Sequence, residues 1–73
     1  MNKAIYSKQY KQLIAHLKQA RTESKLSQVQ VARALKTTQS HISKVESGQR
    51  RLDVIQLKEF AKLYRKKLSF FIP

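Results

Sequence analysis

Cysteine is absent from the sequence, so no disulfide can brace the fold. The only imidazoles are His16 and His41, with no soft ligand beside either, so no zinc cluster is expected and no metal or cofactor is assigned. The lack of cysteine also fits a reducing compartment. Glycine and proline occur once each, as Gly48 and Pro73; with so few breakers an all-helical chain is the default. Long apolar runs are missing as well. None approaches the ~20 residues that cross a bilayer, and the opening Met1-Asn2-Lys3-Ala4-Ile5-Tyr6-Ser7-Lys8 has no apolar stretch of leader length. A cytoplasmic chain with no membrane partner is therefore expected. Acidic residues are scarce, four in 73 residues, and there is no glycine-rich phosphate loop or nucleophile triad. Nothing is left to perform acid–base or covalent chemistry, so neither an enzyme nor a small-molecule site is expected.

What the sequence does have is positive charge. Sixteen Lys and Arg give a formal net charge of +12. Such a chain repels itself, and its natural partners are polyanions. Hydrophobic residues make up 41% of it, too many for a disordered basic tail. The length allows one domain, residues 1–73. A domain of this size buries only ~60% of its unfolded surface, so stability must come from compact helix packing, self-association, or both.

Periodicity places the helices. Tyr10, Leu13, Ile14, Leu17 and Ala20 recur at spacings of three and four, which predicts a first helix over about 7–22. Ser27 and Gln30 form the Ser-x-x-Gln capping box of a second, about 28–35, with Val31, Ala32 and Leu35 inward. Thr38 caps a third, about 39–47, whose only apolar side chains are Ile42 and Val45; Gly48 ends it. Gln49-Arg50-Arg51-Leu52 is a basic loop. Asp53 caps a fourth helix with Val54, Leu57, Phe60, Ala61 and Tyr64 as its buried face. The end, from the cationic Arg65-Lys66-Lys67 through Leu68 to Pro73, fits either a last helical turn capping the core or an extended segment.

Two short helices joined by a turn of about three residues, the second narrow-striped and polar, make helix-turn-helix geometry. The major groove of DNA admits one α-helix and offers donors and acceptors on its base edges. A helix inserted there needs amide, hydroxyl and cationic side chains outward, which Gln39, Ser40, Ser43 and Lys44 provide. Ala32 is small where the paired helix must pass close.

Leu26-Ser27-Gln28-Val29-Gln30-Val31-Ala32-Arg33-Ala34-Leu35, then Thr37-Thr38-Gln39-Ser40-His41-Ile42-Ser43-Lys44-Val45-Glu46-Ser47-Gly48, resembles the Cro/phage-repressor (XRE-like) helix-turn-helix family. Arg21, Leu26, Ser27, Gln28, Ala32, Leu35, Ile42, Ser43, Val45, Glu46 and Gly48 match its pattern in one register, and the resemblance runs from about Tyr10 to Phe71. The chain departs from the pattern at Lys25 and Lys36, turn positions where the family often has glycine, and at Leu52, where proline is common.

The resemblance implies an all-α, compact four- to five-helix lambda-repressor-like domain with the motif over about 28–47. It implies base reading by Gln39, Ser40 and Lys44, with Thr38 and Ser43 alongside. It implies phosphate contacts from Ser27, Gln28, His41, Ser47, Gln49, Arg50 and Arg51, and a structural ion pair between Arg21 and Glu46. The implied partner is double-stranded DNA with an inverted repeat, bound by a homodimer with half-sites ~34 Å apart. The implied role is a repressor- or controller-type transcriptional regulator at the bacterial or phage nucleoid. Leu68, Phe70, Phe71 and Ile72, together with the fourth helix, are the candidate dimer face, so removing residues 68–73 is expected to give a monomer. The competing reading is an antitoxin-type interaction protein that binds a protein partner as well as DNA. RNA or membrane binding fits less well: the aromatics sit at core periods, and the apolar pattern is interrupted over several helices.

Overall fold

The computed structural model describes residues 7–72. Most of the opening segment read for a leader, residues 1–6, lies outside the described residues, as does Pro73 at the end of the apolar tail. The described residues form five helices and no strand: α1 (Lys8–Glu23), α2 (Gln28–Ala34), α3 (Gln39–Glu46), α4 (Val54–Tyr64) and α5 (Leu68–Phe71). None of them is long and apolar enough to cross a membrane.

Four of the helices begin on a side-chain cap. Ser7, Ser27, Thr38 and Asp53 each accept the backbone N–H three residues on. The box closes reciprocally in α2, where Gln30 Oε1 accepts from Ser27 N at 2.8 Å, and in α4, where Gln56 Oε1 accepts from Asp53 N at 3.1 Å. The exits share a device too. Lys25, Lys36, Gly48 and Arg65 all have positive φ, at 58°, 57°, 81° and 56°. In each case the following N–H reaches back to a carbonyl of the last turn, as from Leu26 to Arg21 at 3.2 Å and from Thr37 to Ala32 at 2.8 Å. Only one of these four positions is glycine. The other three are cations at helix C-termini, where positive charge offsets part of the steric cost of the left-handed conformation.

α1 is the central member, packing against α3, α4 and α5, while α2 and α3 pack on each other. The core draws on every helix: Leu17 and Ala20 from α1, Val31 and Ala32 from α2, Ile42 and Val45 from α3, Leu57, Phe60 and Tyr64 from α4, and Phe71 from α5. Ala20 and Ala32 are the small residues that let helix axes approach.

Of the two readings left open for the tail, the structure has the helical turn, and Phe71 is only 1% exposed. Phe71 therefore belongs to the core rather than to a dimer face, because α5 folds back onto α1 and α4. Phe70 is half-buried, its ring tilted 49° to that of His16 at 5.5 Å and edge-on at 5.1 Å to Phe71, with Lys66 Nζ 4.7 Å from its centre. The same Lys66 pairs with Glu23 at 2.9 Å, fastening the α4–α5 connection to the end of α1. Hydrogen bonds from Gln19 and Lys66 hold the Glu23 carboxyl below its usual range. Val54, read as part of the buried face of α4, is instead 61% exposed, as is Ile55, because the first turn of α4 projects beyond the core.

Candidate nucleic-acid interface

Ile42, Val45 and Glu46 pin α3 to the body of the molecule, each no more than 3% exposed. At ~100° per residue the rest of α3 sorts itself. Gln39, Ser40, Ser43, Lys44 and the C-cap Ser47 fall on one continuous outward face; Gln39, Ser40, Lys44 and Ser47 are exposed and Ser43 is half-buried. His41 lies at the edge of this row, half-buried in a shallow cleft that α4 lines with Gln56 and Glu59. Thr38 is exposed at the head of the helix, its Oγ1 accepting from His41 N at 3.1 Å, which leaves its hydroxyl proton free to donate.

Beneath this face is a chain of polar contacts. Arg21 of α1 grips Glu46 through Nε to Oε2 at 2.8 Å and Nη2 to Oε1 at 3.2 Å. Its remaining arm donates from Nη1 to the Leu26 carbonyl at 3.0 Å, which fixes the α1–α2 turn. Such a pairing is what a nearly fully buried carboxylate requires. Gln28 Nε2 donates to Glu46 Oε1 at 3.0 Å, and Gln39 Nε2 donates to Gln28 Oε1 at 2.8 Å. The contacts thus run from the middle of the protein to the first residue of α3.

Arg50 and Arg51 are exposed in the loop that follows, beside the exposed Gln49. Tyr10 holds that loop. Its hydroxyl accepts from Leu52 N at 3.0 Å and donates to the Arg50 carbonyl at 3.5 Å. The sequence pattern marked Tyr10 only as a member of an apolar stripe; its periodicity carried no sign that the phenol end reaches forty residues along the chain. Ser27 is exposed at the start of α2, on the same edge as the half-buried Gln28.

Gln39, Ser40, Ser43 and Lys44 are thus brought together on one helix, with Thr38 at its head, Ser27 and Gln28 on the adjacent helix start and Ser47 to Arg51 at its end. The tail residues Leu68 and Ile72, 37% and 59% exposed, belong to a separate element. Among the described residues no cluster of three or more His, Asp or Glu is placed to hold a metal ion. The face offers amide, hydroxyl and cationic groups with no carboxylate on it, a surface suited to a polyanion with hydrogen-bonding edges.

A family model described as helix-turn-helix matches residues 17–71, which takes in all of the second to fifth helices and the second half of the first. No curated protein and no solved structure matches the chain.

Proposed function

Because the chain belongs to the Cro/phage-repressor (XRE-like) helix-turn-helix family, which binds DNA sequence-specifically in transcription regulation and is not an enzyme family, we propose that it acts as a homodimer that occupies an inverted-repeat operator. α3 enters the major groove. Gln39 pairs with adenine and Lys44 donates to guanine O6 and N7, with Thr38, Ser40 and Ser43 against neighbouring base edges. Ser27, Gln28, His41, Ser47, Gln49, Arg50 and Arg51 fall to the phosphates and fix the register.

The observation that carries this reading is the outward face of α3: five adjacent polar side chains, held by three buried neighbours on the opposite side. The dimer contact is the exposed apolar pair Val54 and Ile55, at the start of α4 after the basic loop.

Selection of bound duplexes from a random DNA pool, at physiological salt with excess competitor, tests the reading. An enriched inverted repeat is expected. Binding with no enriched sequence would mean that the charge grips backbone alone, and the base-reading roles would fall.

A further inference from the structure

We propose that Tyr10 is a positioning residue for the grip on the DNA backbone: its hydroxyl holds the loop after α3 in the form that presents Arg50 and Arg51 to the phosphates, so that α1 sets the distance between the base-reading helix and the arginines. The proposal rests on the DNA reading of α3 given above.

The loop is fastened differently at its two ends. At the first, Gln49 N and Arg50 N both reach back to the Lys44 carbonyl, at 2.9 and 3.2 Å, and so follow α3. At the second, Asp53 N is closed into the α4 capping box by Gln56. Between them lies the Leu52 N–H, outside either helix. A half-buried backbone donor there needs a partner. Tyr10 Oη accepts from it at 3.0 Å and donates to the Arg50 carbonyl at 3.5 Å. One atom that both accepts and donates is what this place demands, and a hydroxyl is such a group. The backbone is thus tied on either side of Arg51. The Leu52 side chain packs against the core, while Arg50 and Arg51 stay exposed.

The tie runs to α1, and so does the anchor of α3. Arg21, on the same helix, grips Glu46 at 2.8 Å. Tyr10 and Arg21 stand eleven residues apart in α1, about 16 Å along its axis. One helix therefore holds α3 near its C-terminal end and the arginine loop near its N-terminal end. A loop held in its binding form costs less to order on the duplex. A loop released from the tie is competent for only a fraction of the time, and apparent affinity falls by that fraction.

The test is a cycle of four proteins: the parent, Tyr10→Phe, the pair Arg50→Ala with Arg51→Ala, and all three changes together. Phenylalanine keeps the ring and removes only the hydroxyl, and thermal melts establish that each protein is folded. Affinity is measured over a salt series on one duplex of arbitrary sequence, because phosphate contacts carry no sequence information. Tyr10→Phe is expected to weaken binding by the parent roughly fivefold, the worth of one hydrogen bond. The slope against salt should stay the same, since both arginines still reach the phosphates. In the protein without the two arginines the same change is expected to cost nothing.

An equal loss in both backgrounds would mean that Tyr10 acts on stability or touches DNA itself, and the proposal would be overturned. It is overturned as well if Tyr10→Phe binds like the parent while loss of the arginines weakens binding. If removing the arginines changes nothing, their phosphate role falls and the proposal with it; the base-reading face of α3 is judged separately, by the selected duplexes. One measurement needs no variant. Amide hydrogen exchange in the parent is expected to show the Leu52 N–H protected although it lies in a loop, and exchange there at the rate of an open amide overturns the tie.

Discussion

At the scale of single residues, the exposed and the buried positions answer different questions. Gln39→Ala is expected to relax preference at one base pair by ~1–3 kcal/mol, whereas Arg50→Ala weakens binding to all sequences and flattens the salt dependence by about one unit of slope. Titrations on operator and random duplexes over a salt series separate the two. Backbone strain makes a second pair. A Cβ at Gly48 would meet nothing within 4 Å, so the cost of Gly48→Ala is that of its φ of 81° alone, about 1–2 kcal/mol. Lys36→Gly runs the other way, relieving a φ of 57° and stabilising by about 0.5–1 kcal/mol; thermal denaturation reads both. Tyr64 is a third case. Burial pushes its phenol above the ordinary value, with the Glu46 charge adding to the effect. The folded protein keeps a proton that the unfolded chain releases above pH ~10, so stability is flat below that pH and falls as pH rises past it. The Tyr64 hydroxyl has no hydrogen-bond partner among the described residues. Tyr64→Phe is therefore expected to leave stability at neutral pH intact or slightly raised, and to remove this part of the alkaline loss in denaturant melts between pH 7 and 11.

Among the elements, α5 is the one whose role the fold redefines. It is a single turn, yet its Phe71 fills the core while Ile72, the next residue, is 59% exposed. Phe71→Ala is expected to cost about 3 kcal/mol and Ile72→Ser less than about 0.5 kcal/mol, measured by urea denaturation. A Phe71→Ala variant as stable as the parent would mean that α5 is not seated on α1. It follows that deleting residues 68–73 removes a core side chain, and loss of DNA binding after that deletion would report unfolding rather than loss of a dimer contact. Point substitutions on the surface are the cleaner probe. The α2–α3 pair differs: caps at both helix starts and the Arg21–Glu46 pair tie its geometry to α1.

For the whole molecule, the question is how a 73-residue chain with a net charge of +12 gains selectivity rather than mere adhesion. Charge supplies affinity that falls steeply with salt and is blind to sequence. Selectivity has to come from a small number of base contacts, which the proposed two-fold pairing would double. Val54→Ser with Ile55→Ser is expected to give a folded monomer by sedimentation. Its affinity for the full operator should fall on the order of 100-fold, while single half-sites are bound as before. If that protein still sediments as a dimer, the contact lies elsewhere, and Leu68 and Ile72 are the next surface to alter.

The sequence by itself determined the helices and the family. Spacing of apolar residues, the capping side chains Ser27, Thr38 and Asp53 and the one glycine are local signals, set by interactions within a turn or two, and α1 to α4 fall within a residue or so of where those signals put them. The outward face of α3 was legible for the same reason, since a helix that buries only Ile42, Val45 and Glu46 must show the rest. The tertiary structure alone decided matters that depend on contacts between distant segments. Phe71 and Ile72 are equally apolar neighbours, and only the fold of α5 onto α1 and α4 sends one to the core and the other to solvent. Val54 has the right period for burial, but the body of the protein ends before it. Tyr10 meets its loop forty residues away, and Gln28 of α2 joins Glu46 to Gln39 at the two ends of α3. A periodic pattern encodes which face of a helix turns inward; how far the neighbouring helix extends, and which polar ends meet there, is set only when all five are packed.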